Sequence, residues 1–311
     1  MDHATYLSRA ALMFLSRQEG LKDVATEVPA LRRIARRFIA GESLEEAVAA
    51  VKELNARGLT VSFDHLNEAV RNDEETHDEV REYLRLLARI DQVGVRGNVS
   101  LKLTQCGLLF DRELALANAR EVVAEAKRRD SFVRVDMEHG AVTQATLDVV
   151  RALHREFGEP HVGAVLQSYL YRTEADARAL CAERIRIRLC KGAYLEGPDI
   201  AYQDKKDVDD NFLRTMRVLR DSGLYHGIAT HDERMIDETL AYAHHQGLAR
   251  GTFEFQMRCG IRRDLQERLA REGHPVRVYV PYGKHWYPYF MRRLAERPAN
   301  VWFVMKNMLK G

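Results

Sequence analysis

Two adjacent arginines near the carboxyl end of the chain, Arg292 and Arg293, are well suited to bind a small anion. An arginine fork matches a carboxylate or a phosphate in two-point fashion, because two N–H donors lie side by side. Two such forks, together with Tyr279, would fix a small carboxylate. Glu296 follows them at helical spacing and would hold both forks in place. The alternative is an ordinary amphipathic helix with an exposed arginine pair.

Eight short β-rich runs, each followed by a longer helical pattern, must position these side chains. The runs are residues 59–66, 99–105, 132–139, 161–170, 184–194, 225–232, 251–257 and 275–283. Eight such units over about 250 residues predict an α/β fold, a distorted (βα)8 barrel of the TIM type spanning residues 58–311. A doubly wound open sheet is the alternative, because sequence does not show whether a sheet closes.

The first 57 residues contain no strand-like run, and they predict a helical arm of residues 1–57 ahead of the barrel. Within it, Ser43 and Glu46 have the spacing of a capping box, which marks the start of a helix. We therefore expect two parts, the arm and the catalytic barrel.

Alternation of side chains divides each predicted strand into an apolar face and a polar face. In residues 184–194, Ile187 must meet the apolar surface of the surrounding helices, so Arg186 and Arg188 point into the barrel. The same rule turns another set of polar residues inward: Ser62, Asp64, Lys102, Thr104, Arg134, Asp136, Glu138, Arg184, Arg277 and Tyr279. The interior of this barrel is therefore expected to be charged, where most barrels are filled by Val, Ile and Leu.

Buried charges are costly unless they are paired, so each interior cation needs an acidic partner. We expect Lys102 to pair with Asp136. The partners expected for the inward arginines are Asp64, Glu138 and Glu254. Pairs at the carboxyl ends of the strands favour a functional role, because barrel active sites lie there, and pairs lower in the barrel favour a structural one.

Composition excludes several classes of protein. The chain has 311 residues and a formal net charge of +2, which argues against a nucleic-acid partner. The four cysteines form no C-x-x-C pair and no zinc-type cluster, which is typical of reduced thiols in the cytoplasm. No apolar run reaches about 18 residues, and the amino terminus lacks a signal-peptide pattern, so we expect neither a membrane span nor export.

Four segments in the second half of the chain, "RIRLCKGAY", "FEFQM", "VRVYVPYG" and "YFMRRLAER", together resemble the proline dehydrogenase family. The resemblance implies an FAD-containing barrel that oxidises L-proline to Δ1-pyrroline-5-carboxylate by hydride transfer to flavin N5, the first step of proline catabolism. Electrons would pass to a membrane quinone, and a separate pyrroline-5-carboxylate dehydrogenase would take the product. The protein would be cytoplasmic, with peripheral contact at the inner face of the membrane.

The resemblance also implies roles for residues around the substrate. Arg292 and Arg293 would bind the proline carboxylate, and Lys102 would pair with it from the barrel floor. Tyr279 would pack on the edge of the ring. Asp136 would close over the site by way of the backbone near Ala193 and Tyr194, and Tyr194 would itself bind substrate.

On the cofactor side, the resemblance places Arg188 beside flavin N5 and Gln167 on the isoalloxazine ring. Thr230 and His231 would lie against the adenosine half of FAD. The remaining residues expected at the cofactor are Lys191, Gly192, Ala193 and Glu296. Arg258 departs from the family pattern, since many members have Leu there. Either the wall of the substrate pocket is built differently or Arg258 turns away.

Three other interpretations remain open. A metal-dependent barrel hydrolase would use the histidines of "FDHL", "MEHG" and "ATHDE", namely His65, His139 and His231. A class I aldolase would use Lys102 or Lys191 as the Schiff-base amine. A scaffold without enzymatic activity would use the arginine pair to bind an acidic motif of a partner protein.

Overall fold

Eight parallel strands close into a barrel in the computed structural model, which describes residues 35–67 and 70–296, with side chains as far as residue 293. The strands are β1 (Thr60–His65), β2 (Gly97–Leu101), β3 (Val133–Val135), β4 (Val162–Gln167), β5 (Arg186–Cys190), β6 (His226–Ala229), β7 (Phe253–Arg258) and β8 (Val276–Tyr282). Each strand pairs with the next along the chain, and β8 pairs with β1 in parallel. The predicted barrel is therefore confirmed, and the open sheet is wrong.

Nine α-helices lie in the described part of the chain. They are α1 (Leu44–Ala56), α2 (Asp73–Val93), α3 (Arg112–Arg128), α4 (Thr143–Phe157), α5 (Thr173–Ala182), α6 (Lys205–Asp221), α7 (Glu233–His245), α8 (Arg263–Arg271) and α9 (Trp286–Glu296). A short 3-10 helix, Gly140–Val142, precedes α4. Helices α2 to α9 each follow one strand, as the alternating sequence pattern predicts.

Local sequence signals fix where several helices begin. The capping box predicted from Ser43 and Glu46 is present at the start of α1: the Ser43 hydroxyl accepts from the Glu46 amide, and the Glu46 carboxylate accepts from the Ser43 amide. Asn72 caps α2 by accepting from the amide of Glu75. Such caps satisfy amides that have no partner inside the helix.

The main hydrophobic core lies between the outer face of the barrel and the helices. Val61, Phe63, Ile187 and Val278 on the outward faces of their strands have no exposed surface, as the alternation of side chains predicts. Arg184 is an exception to the predicted inward set. It lies before β5 with φ at 59°, and its exposed side chain donates to Glu159 at 2.8 Å.

Two helices near the closure of the barrel make it irregular. Helix α1 packs against both β1 and β8, on the outside of the barrel, and buries Val48 and Val51 there. Helix α9 instead contributes Trp286 and Phe290 to a separate hydrophobic cluster with Phe38, Ile39 and Leu66. The helix that precedes β1 therefore covers β8, and α9 lies next to the carboxyl end of β1. The predicted distortion of the barrel arises because α1, and not α9, covers β8.

The described part of residues 1–57 consists of a short segment and α1, so the predicted boundary of the helical arm at residue 57 stays a prediction. Within the described residues, no helix combines the length and the apolar composition needed to cross a bilayer.

Candidate active site

Lys102 and Asp64 form an ion pair inside the barrel at the carboxyl ends of β1 and β2. The Asp64 side chain is 1% exposed and that of Lys102 is 20% exposed. Burial alone would lower the pKa of Lys102, but the charges of Asp64 and Asp136 outweigh it and raise the pKa. Lys102 is therefore a cation that pairs with Asp64, and the predicted pairing of Lys102 with Asp136 is wrong.

Asp136 accepts two side-chain hydrogen bonds across the barrel. One comes from the guanidinium of Arg188 on β5, and the other comes from the Tyr279 hydroxyl on β8 at 2.8 Å. The Arg188 guanidinium also lies 5.2 Å from the centre of the Tyr279 ring. Because β3, β5 and β8 are not neighbours in the barrel, these contacts confirm that all three side chains point inward.

The charge states of these groups follow from their surroundings. Burial and the nearby Asp136 carboxylate raise the pKa of Tyr279 well above its usual value, so its hydroxyl stays a donor. Burial tends to lower the pKa of Arg188, but Asp136 reverses this effect and raises it. A permanent cation and a neutral phenol therefore share one carboxylate.

Arg292 and Arg293 lie on α9, within two turns of its start. Arg293 is 5% exposed, and its guanidinium lies 4.9 Å from the centre of the Tyr289 ring. Arg292 is half-buried, and its charge acts on the hydroxyl of Tyr194. The alternative interpretation, an amphipathic helix with an exposed arginine pair, is therefore wrong. The side chain of Glu296 lies outside the described residues.

Tyr194 connects the loop after β5 to the interior charges. Burial and the nearby Glu138 raise the pKa of Tyr194 to about 12. Its ring meets that of His139 edge to face, with centroids 6.4 Å apart. Glu138 in turn accepts from the Thr104 hydroxyl at 2.8 Å, and burial raises its pKa. Among the predicted substrate residues, Lys102, Asp136 and Arg292 thus all lie close enough for their charges to act on Tyr194.

A second group lies at the carboxyl ends of β4, β5 and β6. Gln167 donates to the backbone carbonyl of Glu138 at 2.8 Å. Lys191 pairs with Asp209 at 2.5 Å and with Asp232 at 2.8 Å, so it is clamped between α6 and the start of α7. The next residue, Gly192, has φ at 105°, and a Cβ atom there would lie 2.2 Å from the Tyr169 ring. Ala193, half-buried, follows.

Thr230 and His231 follow β6 at the same end of the barrel. The Thr230 hydroxyl accepts from the Asp232 amide at 3.1 Å. Nε2 of His231 accepts from the Arg258 amide at 2.8 Å, so a neutral His231 carries its proton on Nδ1. Arg258 lies on the inward side of β7, where it is in register with Tyr279.

The two rival enzyme classes find less support in this arrangement. Among the described residues, no group of three His, Cys, Asp or Glu side chains converges as a metal site requires. His65 instead pairs with Glu79 at 2.7 Å. A Schiff-base lysine needs a lowered pKa, whereas that of Lys102 is raised and Lys191 is held by two carboxylates.

Four acidic residues of the site were not among the predicted site residues: Asp64, Glu138, Asp209 and Asp232. Asp64 and Glu138 could have been found, because alternation turns both inward near the ends of strands. Asp209 and Asp232 lie on or next to helices, and no signal in the sequence brings them to Lys191.

A closed α/β barrel with an ionised cluster at the carboxyl ends of its strands defines a barrel enzyme that handles a small charged substrate. A family model described as proline dehydrogenase matches residues 47–306. The chain belongs to the proline dehydrogenase family.

Individual relatives agree with this assignment. The chain is 42% identical to a proline dehydrogenase of Deinococcus radiodurans, over 98% of this chain and 99% of that protein. It is 39% identical to proline dehydrogenase 2 of Bacillus subtilis, with the same coverage of both chains. Among solved structures, proline utilization A from Bdellovibrio bacteriovorus, inactivated by N-propargylglycine, superimposes with a TM-score of 0.81 at 25% identity. That match covers 86% of this chain, which spans about a third (33%) of the longer protein.

Proposed function

We propose that this protein oxidises L-proline to Δ1-pyrroline-5-carboxylate with bound FAD and passes the electrons to a membrane quinone. The observation that carries the proposal is the interior cluster of Lys102, Asp64, Arg188, Asp136 and Tyr279 in a barrel of the proline dehydrogenase family. A separate pyrroline-5-carboxylate dehydrogenase would consume the product. Reaction with a quinone would require peripheral contact with the inner face of the membrane.

The residues present fit a flavin dinucleotide. Arg188 offers a cation inside the barrel, next to where negative charge would develop on a reduced flavin. Gln167 offers an amide at the end of the adjacent strand β4. Gly192 has a positive φ and packs its backbone against the Tyr169 ring, where a Cβ would collide, and its backbone is proposed to contact the cofactor. Lys191 is proposed to contact the cofactor with its ammonium, which Asp209 and Asp232 hold in place.

The other residues proposed at the cofactor have compatible chemistry. His231 carries a donor on Nδ1 when it is neutral, because Nε2 accepts from Arg258. Thr230 and Ala193 lie on the same side of the barrel mouth. Glu296 follows the two arginines on α9 and is proposed to contact the cofactor and to support the arginines. When bound, FAD would supply the two-electron acceptor for a hydride from the carbon next to the amine nitrogen.

The substrate is proposed to bind through its carboxylate. Arg292 and Arg293 would each offer a two-point fork, and Lys102 would add a third positive charge from the barrel floor. Three cations around one carboxylate would orient the ring and keep the reacting carbon in place. The raised pKa of Lys102 keeps it charged at neutral pH, as this role requires.

The remaining residues would shape the ring pocket. Tyr279 is held by Asp136, so its ring has a fixed orientation for packing on the edge of the substrate. Tyr194 would cover the opposite side from the loop after β5. Asp136 would act through Arg188 and Tyr279, by fixing one residue toward the cofactor and one toward the substrate.

Turnover with L-proline tests the proposal. The purified protein, supplied with L-proline and a soluble quinone analogue, is expected to reduce the quinone and to release a product lighter than proline by two hydrogen atoms, detected by mass spectrometry. D-proline serves as the control, because its carboxylate and ring cannot both occupy the same positions. Absence of quinone reduction by a protein with a full complement of FAD would overturn the proposed reaction.

A further inference from the structure

The amino-terminal end of the barrel interior, opposite the candidate active site, holds more positive than negative charge. Arg134, Arg186 and Arg277 lie near the starts of β3, β5 and β8, and Glu254 lies near the start of β7. Among the described residues, Glu254 is the only carboxylate within 4.0 Å of any of these guanidinium groups, and it pairs with Arg277 alone, at 2.8 Å. Two guanidinium groups are thus left without a carboxylate.

Glu254 makes no close ion pair with the other two arginines, although its charge acts on both of them. Its Oε1 accepts from Arg277 Nε at 2.8 Å and from Gln256 Nε2 at 2.6 Å. Its Oε2 accepts from the Tyr225 hydroxyl at 3.1 Å. Three donors therefore already occupy this carboxylate, whose side chain is 4% exposed.

Arg134 is 3% exposed and relies on weaker partners than a carboxylate. Its Nη1 donates to the backbone carbonyls of Ala164 at 3.1 Å and Arg186 at 2.8 Å. The guanidinium carbons of Arg134 and Arg186 both lie 4.6 Å from the centre of the Phe132 ring. Burial, with the neighbouring charges of Arg186 and Arg188, lowers the pKa of Arg134 well below its usual value. Buried arginines of this kind normally have an anionic partner.

Arg186 is the more exposed of the two arginines, and its guanidinium carbon also lies 4.9 Å from the centre of the Tyr225 ring. Its side chain is half-buried, and its Nε donates to the carbonyl of Tyr225 at 3.1 Å. Neither of its Nη nitrogens has an acceptor among the described residues. Asn98, near the start of β2, has a buried Oδ1 without a hydrogen-bond partner. Since an amide can present either end, its NH₂ group could face an anion.

We propose that the amino-terminal end of the barrel is a binding site for a small oxyanion, such as phosphate or a short carboxylate, held by Arg186 and Arg134. The anion would supply the missing negative charge and accept hydrogen bonds from the Nη groups of Arg186. The site lies at the opposite end of the barrel from the candidate active site. An anion that binds there only in the folded protein is expected to stabilise the fold. The proposal does not depend on the reaction proposed above.

Thermal unfolding of the holoprotein in increasing inorganic phosphate, with chloride adjusted to constant ionic strength, tests the site. A ligand that binds only the folded state stabilises it, and we expect a saturable rise of about 2–4 °C in Tm. Arg186→Gln is expected to abolish the rise. Arg184→Gln, a matched change at an exposed arginine two residues earlier, is expected to retain it. Acetate in place of phosphate shows whether one carboxylate suffices.

A second control separates this site from the arginines of α9. Arg292→Gln is expected to keep the phosphate-dependent rise. A rise that is lost in Arg292→Gln and kept in Arg186→Gln would overturn the proposal, because the anion would then bind at the other end of the barrel. An equal rise with chloride alone would also overturn it. If Arg186→Gln does not fold, Arg186→Lys is expected to weaken phosphate binding at least about fivefold, since an ammonium has no planar fork.

Discussion

The hydroxyl of Tyr279 on β8 donates a 2.8 Å hydrogen bond to Asp136, the residue that follows β3, across the interior of the barrel. The other oxygen of the same carboxylate accepts from Arg188 on β5. A phenol, a carboxylate and a guanidinium from three separate strands therefore hold one another in position. A change in one of them is expected to alter the other two, because hydrogen bonds in such a network polarise each other.

Replacing Tyr279 separates the role of its hydroxyl from that of its ring. Tyr279→Phe removes one donor from buried Asp136 and is expected to lower kcat/KM for L-proline about tenfold, since loss of such a bond costs about 1–3 kcal/mol. Tyr279→Ser also opens space, and is expected to improve the use of hydroxyproline relative to proline. Steady-state kinetics with both substrates measure these effects. Unchanged selectivity in Tyr279→Ser would mean that the ring does not touch the substrate.

Arg293→Lys keeps the positive charge on α9 but removes the planar fork. Loss of a hydrogen bond to a charged group costs about 1.5–3 kcal/mol, so kcat/KM for L-proline is expected to fall about tenfold to a hundredfold. Most of the loss should lie in KM, because the fork binds the substrate carboxylate. FAD content should stay at the wild-type level. Wild-type kinetics, or loss of flavin without a change in KM, would show that Arg293 serves the fold or the cofactor.

Asp64→Asn tests whether Lys102 must be charged to bind substrate. Asp64 contributes to the raised pKa of Lys102, so its neutralisation should lower that pKa. The rise in KM for L-proline at alkaline pH should then begin at a lower pH than in the wild type. Ser62→Ala, one layer deeper on β1, is the matched control and should leave the profile unchanged. An unshifted profile in Asp64→Asn would remove Lys102 from substrate binding.

His226 is expected to make the protein sensitive to acid. It has no exposed surface, Nδ1 accepts from the Ile187 amide, and burial lowers its pKa from 6.5 to about 3. As the pH falls, the unfolded chain binds the proton first. The contribution of His226 to stability is therefore complete above pH 6.5 and is lost progressively toward pH 3, at up to about 1.4 kcal/mol per pH unit.

Urea unfolding between pH 7.5 and about pH 4 measures this dependence. His226→Asn retains an acceptor but cannot take up a proton, so its stability should fall less steeply than that of the wild type. His244→Asn, at an exposed position on α7, should follow the wild-type curve. Identical pH slopes in His226→Asn and the wild type would contradict the assignment of a neutral buried imidazole.

The fold was largely predictable, because its strands carry a strong alternating pattern. Outward Ile187 and Val278 and inward Asp136 and Tyr279 follow directly from that alternation. Arg184 did not follow it, since β5 begins two residues later and the chain turns with a positive φ before it. Strand limits depend on pairing with neighbouring strands, which a local pattern does not report.

The ion-pair partners inside the barrel were harder to predict than the charged character of the barrel interior. Lys102 was expected to meet Asp136 but pairs with Asp64, because the stagger of the strands and the reach of each side chain decide which charges meet. The position of α1 over β8 is likewise a tertiary effect. Its apolar residues, such as Val51, would suit the outside of any barrel strand.

Anaerobic addition of L-proline to the purified protein, followed by its visible absorption spectrum, shows whether proline reduces a bound flavin. We expect a yellow protein whose flavin band is bleached by L-proline and persists with D-proline, before any external electron acceptor is added. A colourless protein that reconstitution with FAD leaves inactive, or a flavin band unchanged by L-proline, would contradict the claim that this barrel oxidises proline with bound FAD.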